Sequence, residues 1–392
     1  MSKVLKGIAI GLGIILIMYV LATIIVPPIV DKGYNKVTQT SPYTVSNTAE
    51  EIYSSLDFIA DLHCDVLLWK RDIQQHHDYG HVDIPRMLEA NIGLQAFTIV
   101  SKTPKNMNFD LNTGDTDNIT SLYIAQGRPV KSWFSLKERA LVQCNSLYEF
   151  AEASNGKFSV ITDQINFKSY LQKRATDKNI TAGYLGIEGM QVLEGRLENV
   201  QVMYDAGIRM MAPVHFFDNE LGGSAHGVSK LGLTEFGRQV IKEMEAKNMI
   251  VDLSHSAPAL IDDVLAMATR PLLVSHTGVK GTCNNVRNLS DEHLIKIAQT
   301  GGLIGIALFD QAVCGTNALA TAKAIQYTAN LVGIEHVALG SDFDGAVITH
   351  FDITGYPLLV EELLKMNFTK VEISLIMGGN VKNFMLKNLP TI

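Results

Sequence analysis

Met249-Ile250-Val251-Asp252-Leu253-Ser254-His255 is a short apolar run that closes on a side chain able to bind a metal, and Pro271-Leu272-Leu273-Val274-Ser275-His276 repeats the device. Runs of this length read as buried β-strands. Working outward, Phe58-Ile59-Ala60-Asp61-Leu62 leads to His63 and Asp65, Ala182 through Ile187 leads to Glu188, and His336 through Ser341 leads to Asp342. Polar groups at the C-terminal ends of successive strands are how a parallel β/α barrel assembles a site. The pattern predicts an α/β protein of the (β/α)8 TIM-like barrel type with metal ligands at one mouth.

The rest of the chain agrees with that architecture. Strand-like runs at 58–63, 92–100, 182–188, 208–214, 249–254, 271–275, 303–308 and 336–341 alternate with amphipathic stretches at 136–153, 234–247, 258–267, 290–299 and 317–332. Such alternation over about 300 residues fits one barrel better than an open doubly wound sheet. Residues 101–135, rich in Pro, Gly, Asn and Asp, follow the second strand and predict a lid or binding loop. Residues 356–377 and 380–386 read as helices that pack over the barrel. The expected domain division is an anchor or signal over 1–30, a linker or cap over 31–55 and the barrel over 56–392.

Composition narrows the function classes. The 392 residues are 47% hydrophobic and 19% charged, with net charge −7. No block of Lys and Arg offers the concentrated basic face that nucleic-acid binding needs. Lys3 and Lys6 precede an uncharged stretch from Gly7 to Val30 that contains Pro27-Pro28. About 20 helical residues cross a ~30 Å hydrocarbon layer, so this stretch can span it. It exceeds the ~7–15 apolar residues of a signal peptide and lacks a good small-x-small cleavage site, which favours an uncleaved anchor. The lysines before it favour a single-pass topology with a cytoplasmic N-terminus and an extracytoplasmic catalytic domain. Cys64, Cys144, Cys283 and Cys314 include no CxxC pair and do not make a disulfide scaffold; Cys64 reads as a small buried residue.

The HxD pattern occurs as His63/Asp65, His81/Asp83 and His350/Asp352. Only the first ends a strand run, where a spacing of two puts both side chains on one face. Asp83 precedes Ile84-Pro85-Arg86 and reads as a helix cap, and the third pair lies in a loop. Glu188, between glycines at a strand end, is the natural bridge between the His63/Asp65 pair and the His255/His276 pair. Asp342 sits closer to its strand end than Asp344 and is the preferred remaining acid. Two ions ~3.5–4 Å apart in such a ligand set would activate a bridging water and polarise a carbonyl. His and carboxylate ligands without thiolate favour two zinc ions, with manganese or cobalt as alternatives. Asp342 would take the water's proton and return it to a leaving amine.

The motifs Asp61-Leu62-His63-Cys64-Asp65, Gly186-Ile187-Glu188-Gly189, Asp252-Leu253-Ser254-His255, Ser275-His276-Thr277 and Gly340-Ser341-Asp342-Phe343-Asp344-Gly345 resemble those of the membrane (renal) dipeptidase family, metallopeptidase family M19. His215-Phe216-Phe217-Asp218-Asn219, Gly223-Ser224-Ala225-His226-Gly227 and Val286-Arg287-Asn288-Leu289-Ser290 extend the likeness, which runs from about residue 56 to 387. The resemblance implies an amidohydrolase-like barrel in which His63 and Asp65 hold one zinc, His255 and His276 the other, and Glu188 bridges. It implies that His215 contacts the scissile carbonyl and its developing oxyanion, and that Arg287 anchors the substrate's C-terminal carboxylate. The chain departs from the family at Leu62 and Cys64 around His63, and at Met190-Gln191 after Gly189, positions that bear on substrate preference.

Dipeptides are therefore the expected substrates, and a homodimer is the expected assembly. Two rivals stand beside that reading. One is hydrolysis of another small carboxylate-bearing substrate, such as an N-acyl amino acid, a lactone or a β-lactam. The other is a catalytically silent barrel that only binds.

Overall fold

A computed structural model describes residues 3–391. Eight parallel strands form the central sheet: β1 (Ile59–Asp61), β2 (Ile92–Val100), β3 (Thr181–Glu188), β4 (Ile208–Ala212), β5 (Ile250–Val251), β6 (Leu273–Thr277), β7 (Leu303–Ile306) and β8 (Val337–Leu339). Each pairs with its sequence neighbours, and β8 returns to β1 through Leu339 and Asp61. The ring closes between β5 and β6, where Asp252 bridges Leu273 and Leu253 N donates to Leu273 O at 2.8 Å. All eight strands lie where apolar runs predicted them.

Backbone pairing carries the strand ends further than regular geometry does. Leu62 N donates to Leu339 O, Asp65 N to Phe343 O and Thr98 N to Cys64 O, so the segment bearing His63 and Asp65 stays tied to both neighbouring strands. Helices alternate with strands around the outside, among them Leu136–Ala153, Glu235–Ala246, Pro258–Met267, Asp291–Gln299 and Ala318–Val332. Thr234 and Ser290 cap two of them by accepting from Gly237 N and His293 N. One apolar cluster lies along the strands and helices, with Phe97, Ile187, Met211, Val251, Val274 and Leu339 among its members. A second gathers Ala60, Leu94, Tyr184, Met210, Leu273 and Ala338 with Val381, Phe384 and Met385 of the last helix, Asn380–Asn388.

Four features were not anticipated. A short strand, Phe158–Val160, pairs with the start of β3 outside the ring. The N-terminal helix, Lys3–Tyr34, runs through Pro27 and Pro28 and docks its end on the barrel, while Asn47–Ser54 adds a helix within the expected linker or cap. Cys283 and Cys314, whose sequence positions suggested no disulfide, are bonded and join the loop after β6 to the loop after β7. Cys64 is fully buried among apolar side chains, as read.

Candidate metal centre

Glu188 ends β3, His276 lies in β6, and His63, Asp65, His215, His255 and Asp342 follow directly on β1, β4, β5 and β8. All are buried at the C-terminal mouth of the ring. They form three overlapping groups of candidate ligands: His63, Glu188 and His276; Glu188, His215 and His255; His63, Asp65 and Asp342. Glu188 Oε1 lies 2.8 Å from His255 Nε2, 3.3 Å from His276 Nε2 and 3.7 Å from His63 Nε2, while Oε2 lies 3.2 Å from His215 Nε2. His63 Nε2 stands 3.5 Å from Asp65 Oδ1 and 3.9 Å from Asp342 Oδ1. His63, Asp65, Glu188, His215, His255, His276 and Asp342 are thus brought together in one small volume.

Two acids placed just before the ligands shape this mouth. Asp252 Oδ1 accepts from Ser254 N, Ser254 Oγ and Ser275 N, which draws β5 and β6 together as His255 turns inward. Asp61 Oδ1 accepts from His63 N, Gln95 Nε2 and Ser341 Oγ, and its Oδ2 accepts from Ser341 N and Tyr356 Oη. Ser275 Oγ contacts His63 Nδ1 at 2.9 Å and His276 Nδ1 at 3.0 Å, so the Nε2 atoms of both rings face the centre. A Cβ on Gly340 would lie 1.9 Å from Ser275 O, and its absence lets the β8 end approach β6. His255 and Asp342 have φ of 62° and 64°, a left-handed conformation that costs energy for a side-chain-bearing residue and is held at functional sites by its surroundings.

The donor set fits divalent cations. Among the described residues, His63 Nε2 and Glu188 Oε1 are buried without a hydrogen-bond partner, despite the polar atoms crowded around them. Burial drives His255 and His276 well below the usual histidine range, helped by the charge of Arg287 at His255 and by those of His63 and Arg287 at His276, leaving both neutral as metal ligands must be. Burial opposes charge on His63, but Asp65, Glu188 and Asp342 outweigh it and hold the ring at about 10. Burial and neighbouring carboxylates push Glu188 up, and burial raises Asp342 to about 7. This surplus of buried negative charge is what two cations would neutralise.

Arg287, on the loop after β6, is buried beside the cluster. Its Nη1 donates to His276 O at 3.1 Å, its Nη2 stands 3.4 Å from His255 Nε2, and its guanidinium lies 5.6 Å from the centre of the Phe309 ring. Among the described residues it makes no ion pair. Beyond His215, a cleft of about 450 Å³ opens between the loops after β2, β3 and β4, lined by Lys102, Gln191, Glu194, Phe217 and Asn219. The long segment after β2 packs against His226, whose ring centre lies 5.0 Å from that of His255: Phe109 O contacts His226 Nδ1, and Asn112 N donates to His226 O.

The remaining HxD pairs stay outside the cluster. Asp83 and Asp352 cap short helices, and His350 contacts Thr321. His81 accepts from Asp344 N through Nδ1 and so supports the loop that carries Asp342. The supporting roles of Asp61, Asp252 and Ser275 escaped the sequence reading, although the spacings Asp61-x-His63 and Asp252-x-x-His255 carried a signal for the first two.

The sequence profile of the family described as membrane dipeptidase, peptidase family M19, matches residues 47–387. Dipeptidase aclJ of Aspergillus oryzae is 27% identical over 350 residues, covering 82% of this chain and 76% of that relative. A metallopeptidase structure from Rhodobacter sphaeroides, liganded with a phosphinate mimic of the dipeptide L-Ala-D-Ala, superposes with a TM-score of 0.71 at 22% identity, covering 85% of this chain and 99% of the other. The structure of dipeptidase AC, of family M19, gives the same TM-score and identity and covers 85% and 98%. On a match that spans most of its length, the chain belongs to the membrane dipeptidase family of metallopeptidases.

Proposed function

We propose that this protein hydrolyses dipeptides with two divalent ions, zinc foremost, held at the mouth of residues 56–392. The observation that carries this reading is the sharing of Glu188 between two buried ligand groups. His63 and Asp65 would hold one ion, His255 and His276 the other, and Glu188 both. Bound there, the ions supply Lewis acidity to the scissile carbonyl and a more acidic water at neutral pH.

This chain's own groups do the rest. Arg287, a buried guanidinium with no ion pair among the described residues, takes the substrate's C-terminal carboxylate through paired N–H donors. His215 donates to the carbonyl oxygen as negative charge gathers on it. Asp342 accepts the proton of the attacking water and delivers it to the amine nitrogen as the C–N bond breaks.

The N-terminal helix would act as an uncleaved anchor, with the barrel outside the cytoplasm. Among the described residues it is the one helix long and apolar enough to cross a membrane, and Ile10, Leu16 and Ile24 on it are exposed. The Cys283–Cys314 bond suits an oxidising compartment.

The test is metal content and turnover of the purified full chain. Two ions per chain and loss of dipeptide hydrolysis on chelation are expected. A metal-free preparation with full activity, or a fully loaded one inert toward every dipeptide offered, ends the proposal.

A further inference from the structure

The end of the N-terminal helix reaches the loop that carries Asp342. Asp31 is buried and accepts from Arg71, with Oδ1 2.6 Å from Nη2 and Oδ2 3.0 Å from Nε. The same guanidinium donates through Nη2 and Nη1 to Asp344 Oδ1 and Oδ2 at 2.8 and 3.1 Å. Asp344 also accepts from His81 N and Val82 N, and its carbonyl accepts from Trp69 Nε1 at 2.7 Å. One turn beyond Asp31, Asn35 binds Asp31 Oδ1 through Nδ2 and accepts from Ala346 N at 3.0 Å through Oδ1. The strand Lys36–Val37 then pairs with Ile348–Thr349.

The loop held in this way is not a relaxed one. Asp342, Asp344 and Ala346 all have left-handed φ, at 64°, 59° and 59°. Alternate residues in that conformation persist only when their surroundings over-determine them. Much of that surrounding structure comes from outside the barrel, through Asp31 and Asn35.

We infer that Asp31 is a positioning residue for hydrolysis: through Arg71 and Asp344 it sets the loop that aims Asp342 into the metal centre. The membrane-side helix and the catalytic loop are one mechanical unit, and the helix end is part of the active-site scaffold rather than a passive tether. A guanidinium that serves two carboxylates keeps the planar fork fixed from both sides, and removing one leaves it free to rotate away from the other. The inference rests on the reading of Asp342 as the group that handles the proton.

The test uses the full-length chain in detergent at saturating zinc. Asp31→Ala should lower kcat at least about tenfold with KM within about threefold, because Arg287 and the substrate pocket are untouched. Asp31→Asn, which keeps the acceptor for Arg71, should recover most of that loss. A folded Asp31→Ala protein with kcat within twofold of the parent overturns the inference. Should that variant not fold, Asn35→Ala decides instead: it removes both the donor that holds Asp31 Oδ1 and the acceptor of Ala346 N, and an unchanged kcat overturns the inference equally. A second readout separates this claim from the dipeptidase reading. Trp69 and Trp133 are the two tryptophans of the chain, so Trp69 emission can be read in a Trp133→Phe background. If the parent proves inert toward dipeptides, the dipeptidase reading fails alone; a red shift of Trp69 on Asp31→Ala then supports the coupling, and an unmoved spectrum removes it.

Discussion

His255 Nε2 and His276 Nε2 face one another at 3.0 Å, and both lie within 3.3 Å of Glu188 Oε1. Two imidazole nitrogens and a carboxylate oxygen aimed at one point form a ligand geometry. Glu188→Gln keeps the shape but removes the charge both groups share. It should cut kcat/KM by about a hundredfold or more and reduce bound zinc at both positions. His63→Ala should cost less, since it strips only one side. Elemental analysis with single-turnover rates checks the order of the two effects, and a milder loss for Glu188→Gln would reject the shared role.

Arg287 decides the substrate class. If it holds a free C-terminal carboxylate, Arg287→Ala should raise KM for dipeptides steeply, a loss of about 1.5–3 kcal/mol or roughly tenfold to more than a hundredfold in kcat/KM. Zinc content should not change. Dipeptide amides should be poor substrates of the parent and lose little more in the variant. Equal losses on acids and amides would reopen the choice among small-amide and lactam hydrolases.

The Cys283–Cys314 bond joins the loop that carries Arg287 to the loop after β7, across 31 residues. Closing a loop of that length removes unfolded-state entropy worth roughly 3–4 kcal/mol on the chain-entropy account. The double change Cys283→Ser with Cys314→Ser should lower the denaturation midpoint and raise KM for dipeptides more than it lowers kcat. Unchanged KM with a lowered midpoint would assign the bond to stability alone.

Acid stability should carry a signature of His350. Burial lowers this histidine to about 4 from an ordinary value of 6.5. As pH falls below 6.5 the unfolded chain takes up a proton that the folded one refuses, so stability falls with pH. The slope approaches about 1.4 kcal/mol per unit and flattens below about 4, where both states are protonated. His350→Gln should flatten the urea midpoint between those limits relative to the parent. A parallel pair of curves would remove His350 from the account.

The strands were legible as short apolar runs, those of β1, β3, β5, β6 and β8 ending in a chemically conspicuous side chain. Ile250–Val251 is only two residues long as a regular strand, yet Met249 through His255 announced it, since period and burial act over the whole run. Phe158–Val160 was not legible: three residues at the sheet's edge carry too little pattern to separate from a helix flank. The ligands were read from their positions at strand ends, but Ser275, which touches the inner nitrogens of both His63 and His276, looks like any other strand serine. Cys283 and Cys314 come together only through two neighbouring loops, a contact that spacing alone does not encode. Asp31 looked like the first residue of a linker, because a sequence does not say that a buried arginine from residue 71 awaits it.

Asp61 gives the molecule a particular order of completion. Its carboxylate gathers donors from residues 63, 95, 341 and 356, so it draws on the first strand, the second, the last and the helix beyond. A ribosome delivers those donors at widely separated times. While only the first half of the chain exists, His63, Asp65 and Glu188 are present, but Asp61 lacks the hydroxyls of Ser341 and Tyr356 and β1 lacks its pairing with β8. The centre is therefore indivisible in manufacture: no fragment that stops short of Tyr356 can carry the finished cradle, and a nascent chain cannot close it before Tyr356 has emerged.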